Sequence, residues 1–182
     1  MTVDEYPVGI VVDMMFSKAD LEIRADAYCE ARQISRSGPL GYGFDGSVFA
    51  TSRHSAIKVF HHEELFRREW SVYRRLKQHA ITGMMGFAVP QLIDIDEDLR
   101  IVEMTIVSPP FVLDFAGAAL DKRPQFPEDV LVEWQAEKAE QFGERWPTVR
   151  LIMSSFAGLG IYLADVKPGN IEFAEGWSPE CG

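Results

Sequence analysis

The chain has little of what many specialised proteins are built from. It has two cysteines in 182 residues, Cys29 and Cys181, at opposite ends and with no cysteine or histidine at zinc spacing. A disulfide scaffold and a zinc module are therefore not expected, and a reducing cytoplasm is the expected compartment. Basic residues are scarce, 18 against 28 acidic side chains, for a formal charge of −10. No general field draws such a chain to nucleic-acid backbone or anionic lipid, so neither partner is expected and any phosphate site must be local. Long hydrophobic runs are missing too. The most apolar early stretch, Val8 to Phe16, is broken by Asp13 and preceded by Asp4 and Glu5, and reads as neither a signal peptide nor a membrane span. There is no internal repeat and no low-complexity tract.

What is there is the ordinary balance of a folded domain, 47% hydrophobic and 25% charged, in a length that fits one domain or one small bilobal unit. Ser17 and Asp20 stand at capping-box spacing, and Leu21, Ala25, Tyr28 and Arg32 follow at helical intervals, predicting a helix over 17–32. From Ile34 the pattern changes to short apolar segments divided by glycine and charge. A glycine-rich turn at Gly41 to Gly46, then Ser47 to Ala50 and Ser55 to Phe60, reads as successive antiparallel strands. Glu63 to Gln78 carries Leu65, Trp70, Tyr73 and Leu76 at helical spacing, and Val89 to Ile95 with Leu99 to Val107 brackets the acidic turn Asp96-Glu97-Asp98 as a hairpin.

Ser108-Pro109-Pro110 marks a boundary, after which the pattern turns helical. Glu128 to Trp146 puts Val130, Leu131, Trp134, Phe142 and Trp146 on one stripe, and Thr148 is placed to cap a second helix that ends at Gly158 and Gly160. The organisation expected is an N-terminal extension over 1–33, a sheet lobe over 34–107 and a helical lobe over 108–182.

Three constellations carry chemistry. Gly41, Gly43 and Gly46 form G-x-G-x-x-G, followed by a strand and not by the helix a dinucleotide fold requires. In a hairpin such glycines let backbone amides approach a polyphosphate, with Val48 free to cover a base or ribose. In Ala56-Ile57-Lys58-Val59, a lysine in an apolar strand needs a partner for its ammonium, and Glu69 on the next helix is the candidate. A lysine held this way can bind nucleotide phosphates. The third is Asp165-x-Lys167-Pro168-x-Asn170, built on the only asparagine in the chain, with a chance expectation on the order of 10⁻⁴. An aspartate can orient a hydroxyl, a lysine two residues on can neutralise a transferred phosphoryl group, and an amide oxygen can ligate Mg²⁺.

Together and in this order, the residues resemble the protein-kinase-like family from about Ile34 to Asn170. Gly41 to Val48 stands as the glycine-rich loop, Ala56-Ile57-Lys58 as the third-strand lysine motif, Glu69 as its partner, and Leu163 to Asn170 as the catalytic loop. The resemblance implies an α+β bilobal fold: a five-stranded antiparallel sheet with one helix, and a reduced, mostly helical second lobe. It implies ATP and Mg²⁺ bound between the lobes, with a connector near Glu103 to Val107, Met104 included, giving backbone groups to adenine. Asp165 and Lys167 are then catalytic, and Asn170 with a glutamate holds the metal. The N-terminal extension lies outside the resemblance and either packs over the sheet lobe or serves as a dimer contact.

The pattern also departs from the family's. Leu163 stands where its loop begins with histidine, and no aspartate follows Asp165 to serve as the D-F-G metal ligand. The nearest carboxylates are Glu172, Glu175 and Glu180, the last in a Glu180-Cys181-Gly182 echo of that motif. The activation segment and peptide-docking helices do not follow. The expectation is a compact phosphotransferase transferring the γ-phosphoryl group to a hydroxyl of a protein serine or threonine, a small metabolite or the chain itself. The alternatives are a pseudokinase that binds a nucleotide or a partner without turnover, a chain whose missing ligand lies beyond Gly182, and a structural domain that binds no nucleotide.

Overall fold

The computed structural model describes residues 8–178, with side chains from residue 18 onward. The elements run α1 (Val8–Ala31), β1 (Arg36–Tyr42), β2 (Gly46–Thr51), β3 (Ser55–Phe60), α2 (Glu63–Gln78), β4 (Gly83–Met84), β5 (Phe87–Ala88), β6 (Leu92–Asp96), β7 (Ile101–Thr105), β8 (Phe111–Val112), β9 (Ala119–Leu120), α3 (Glu128–Phe142), α4 (Trp146–Gly158), β10 (Ile161–Tyr162) and β11 (Ile171–Glu172). The fold is α+β, with a five-stranded antiparallel sheet in the order β1-β2-β3-β7-β6. The chain divides into two compact units. One takes the described part of Met1–Phe66 together with Ile93–Thr105, the other Arg67–Leu92 and the described part of Ile106–Gly182. Among the described residues no helix is long and apolar enough to cross a membrane.

In the first unit α1 packs on β2 and β3. Strand side chains alternate between faces, so Ile57 and Val59 of β3 point to α1 and join Leu21, Ala25, Tyr28, Cys29, Phe49 and Ile101 in one buried cluster. Each such side chain contributes about 1.5–3 kcal/mol by leaving water. The helix differs from expectation at its start. It runs unbroken through Ser17, so Asp20 caps nothing and instead accepts a hydrogen bond from Arg24 Nε one turn on, at 2.9 Å. Arg24 Nη1 donates to the carbonyls of Phe60 and Leu99 at 3.0 and 2.9 Å, tying the helix to the end of β3 and the approach to β7.

The same face of the sheet holds a fully buried carboxylate, Glu103 in mid-β7. Tyr28 Oη donates to its Oε2 at 2.7 Å and Arg53 Nε to its Oε1 at 2.7 Å, with further bonds from Arg53 Nη2 and Ser55 Oγ. Arg32 lies 3.7 Å over the Tyr28 ring and donates to Asp94 at 2.6 Å, closing the network on β6. Burial alone would raise the Glu103 carboxyl. The bonds from Arg53, Ser55 and Tyr28 outweigh it and hold the group below the usual glutamate range. Burial and that same carboxylate push the Tyr28 hydroxyl far up.

The second unit is built on α4, whose Val149, Ile152 and Phe156 are buried, with the Phe156 ring 5.8 Å from Phe115 and Phe115 5.5 Å from Tyr73 of α2. Two small sheets accompany it, β11-β8-β5-β4 and β10-β9. These two-residue strands went unread in the sequence because two residues carry no periodicity. The stripe expected on α3 is only partly a core face: Phe142 is buried, Leu131, Trp134 and Trp146 are half-buried, and Val130 is 45% exposed. Thr148 does not cap α4. The helix starts at Trp146, with Pro147 in its first turn, where a missing N–H costs nothing. The strand expected over 99–107 ends at Thr105.

A carboxyl held down in the folded state stabilises fully above its unfolded pKa and loses that contribution as pH falls through its folded pKa. Urea denaturation across a pH series should therefore show wild-type stability falling on the acid side of the usual glutamate range. Glu103→Gln should cost about 2 kcal/mol at neutral pH and lose part of that acid slope, the remainder coming from Asp94 and Asp26. Equal stability of the two proteins at pH 7 would remove the network from the account.

Candidate functional site

The glycine motif lies where β1 turns into β2. Gly43 N donates to Gly46 O at 2.9 Å and Gly46 N returns to Gly43 O at 3.3 Å, leaving Phe44 and Asp45 as the two turn residues. The three glycines are not equivalent. A Cβ on Gly46 would lie 1.9 Å from the Val59 carbonyl oxygen, so the hairpin's own packing on β3 demands glycine there. A Cβ on Gly41 or Gly43 would meet nothing within 4 Å, so packing does not require glycine at either. The tip is apolar and outward, with Phe44 85% exposed and Tyr42 edge-on to His61 at 6.3 Å.

Alternation collects the other expected nucleotide residues of this unit. Val48 pairs with Lys58, Lys58 with Val102, and Ala56 with Met104, so Val48, Ala56, Lys58 and Met104 share the sheet face opposite α1. Lys58 is 8% exposed, its ammonium 5.0 Å from the centre of the Phe60 ring. Glu103 belongs to the other face, where its carboxylate serves the network with Tyr28 and Arg53. The connector expected over 103–107 is strand through Thr105, and the first unit ends there.

In the second unit, residues 163–170 form a loop between β10 and β11. Its ends are held by antiparallel pairs, Ile161 with Leu120 and Ile171 with Val112, and Leu113 N donates to Asn170 O at 2.7 Å. Val166 is buried and anchors the middle. The three expected residues meet here. Lys167 Nζ lies 2.5 Å from Asp165 Oδ2, and Asn170 Nδ2 donates to Asp165 O and to Oδ2, both at 2.9 Å. Asn170 is buried, whereas the Asp165 and Lys167 side chains are about half exposed. Both bonds fall on Oδ2, and among the described residues none engages Asp165 Oδ1. With Nδ2 turned inward, the Asn170 amide oxygen is left as a donor for a hard cation.

Glu69 of α2 is also in this unit, 1% exposed and bonded by the Tyr73 hydroxyl one turn on. Burial and that carboxylate, with Asp114, raise Tyr73 well above its ordinary range. Glu180 and Cys181 lie outside the described residues. Of the other late carboxylates, Glu172 on β11 and Glu175 are exposed. Among the described residues no cluster of three or more His, Cys, Asp or Glu side chains is arranged for a metal ion.

Sequence reading missed one support of this loop. Arg75 of α2 binds Asp121 through Nη1 and Nη2 at 2.8 and 2.7 Å, and Nη1 also donates to Leu159 O at 2.9 Å. Gly160 has φ +72°, and a Cβ there would press on both Asp121 and Arg75. The glycine was legible as a helix end; its packing against a residue 85 positions earlier was not.

No protein-family model matches the chain, nor does any curated protein or any solved structure.

Three substitutions test the geometry. Gly46→Ala should destabilise by about 1–3 kcal/mol through its clash with β3, while Gly43→Ala stays within about 0.5 kcal/mol of wild type in the same denaturation assay. Asn170→Ala should quicken amide exchange over the loop by removing both bonds to Asp165. Unchanged protection would mean that the loop is held by its flanking strands alone.

Proposed function

We propose that the chain is an ATP- and Mg²⁺-dependent phosphotransferase of the bilobal protein-kinase-like kind, transferring the γ-phosphoryl group to a hydroxyl acceptor. The observation that carries this reading is the convergence of Asp165, Lys167 and Asn170 in one tethered loop, with the Lys167 ammonium 2.5 Å from Asp165 Oδ2 and the Asn170 amide bound to that same oxygen. An isolated turn has no need of all three.

Each group has a task suited to its surroundings. Asp165 Oδ1 receives the hydrogen bond of the acceptor hydroxyl and takes its proton as the new oxygen–phosphorus bond forms. Asn170 keeps that carboxylate in place by gripping Oδ2 and the backbone carbonyl of residue 165. Lys167 is close enough to swing from Asp165 to the phosphoryl oxygens as their charge develops. On the face opposite α1, Lys58 holds nucleotide phosphates, while Val48, Ala56 and Met104 offer apolar contact to the base. The absence of side chains at Gly41 and Gly43 lets phosphates approach the hairpin backbone closely. When bound, Mg²⁺ supplies charge neutralisation of the phosphates, and Asn170 Oδ1 is the described side-chain atom fitted to hold it.

The first experiment is a thermal shift with ATP, with and without Mg²⁺. Metal-dependent stabilisation is expected; nucleotide binding that survives EDTA, with no labelled product from any acceptor, would instead make the protein a binding module. Lys58→Ala should abolish Mg·ATP binding in calorimetry, and unchanged affinity would remove the nucleotide assignment. Asp165→Asn should lower turnover about a hundredfold or more while leaving nucleotide affinity near wild type.

A further inference from the structure

Below the loop, the second unit contains a cavity of about 550 Å³, a size that fits a small organic ligand. Arg123, Phe126, Trp134, Trp146, Arg150 and Tyr162 contribute to its wall. Two features distinguish it. The lining includes two arginines and no carboxylate, in a chain whose formal charge is −10. Among the described residues neither arginine forms an ion pair or a side-chain hydrogen bond with the protein, and both are exposed. The rest of the wall is mostly apolar and includes four aromatic rings. Trp146 stacks on Phe142 at 6.1 Å and stands edge-on to Trp134 at 6.0 Å, so two packed indole rings share the wall with the two arginines.

We propose that this cavity binds the acceptor, and that the acceptor is a small hydroxyl compound with an apolar or aromatic body and an anionic group, carboxylate or phosphate. The inference rests on the phosphotransferase reading and adds the substrate class to it. Guanidinium groups bind planar oxyanions in a two-point fork, which selects a carboxylate or phosphate over a neutral group. The indole rings take the apolar body. Leu163 and Ala164 are part of the same wall, and Asp165 is the next residue in the chain, so a ligand held here lies alongside the loop that carries the base. In the transfer, the acceptor oxygen forms its bond to the γ-phosphorus and the bond from that phosphorus to the β–γ bridging oxygen breaks. ADP leaves with that electron pair, and the hydroxyl proton passes to Asp165 and on to solvent.

The probes are 4-(hydroxymethyl)benzoate and its neutral twin 4-(hydroxymethyl)benzamide, which share a shape and a primary alcohol and differ in charge. Binding is followed by NMR on the indole N–H signals, with Trp70 and Trp177, which are not in the cavity wall, as internal references. The benzoate should shift Trp134 and Trp146 saturably, bind about tenfold more tightly than the benzamide, and accept label from γ-labelled ATP. Arg150→Met and Arg123→Gln should each erode that preference while keeping the thermal shift with Mg·ATP, which also shows that the variants fold. Equal affinity for the two probes, no movement of the two indole signals, or binding without transfer of label would each overturn the proposal. If wild type shows no thermal shift with Mg·ATP, the phosphotransferase reading falls with it; if that shift is intact, only the cavity assignment falls.

Discussion

A carboxylate in the middle of an interior strand can be satisfied only from its own side of the sheet, and that constraint orders the first unit. Glu103 draws its donors from three places: Tyr28 on α1, Ser55 at the start of β3, and Arg53 in the turn before it. All three must be in register at once. A slip of one residue between β3 and β7 would leave the carboxylate buried without partners and turn the Lys58 ammonium into the apolar cluster under α1. Two buried charges of opposite sign thus stand on opposite faces of the sheet and fix its register.

The second unit uses the same principle on a loop. Asn170 is a buried amide whose hydrogens need acceptors, and both acceptors belong to Asp165. The flanking strands are too short to hold the loop by themselves, since each is a single pair of residues. Val166 packing inward, the Leu113 bond to Asn170 O and the Arg75 clamp on the preceding turn add what they lack. The proton transfer proposed for Asp165 would need this kind of support, because an ångström of drift weakens a positioned interaction.

What could be read in the sequence follows from how local each signal is. The Ser55–Phe60 strand and the Glu63–Gln78 helix have the bounds their apolar pattern suggests, because period and flanking residues agree. The loop residues were legible as a set because their spacing is short. The start of α1 was not, since Ser17 and Asp20 make a plausible cap that an already running helix overrides. Nor was the role of the Glu103 side chain, which needs Tyr28 and Arg53, 75 and 50 positions away. On α3 the apolar spacing was real but did not mean burial: a hydrophobic stripe states that some surface wants covering, not that this chain covers it.

The glycines separate structure from function more cleanly than any charged residue. Gly46 is explained by the Val59 carbonyl, and Gly160 by Arg75 and Asp121. Gly41 and Gly43 have no such neighbour, so the fold would accept alanine where the chain carries glycine. The same test picks out Asp165 Oδ1, the Asn170 amide oxygen and the arginines of the cavity wall, to which the described residues give no hydrogen-bond partner. Residues consumed by packing explain why the protein folds. Those left over, when they share a loop, a strand face or a cavity, are where a substrate's chemistry can be read from the protein's own atoms.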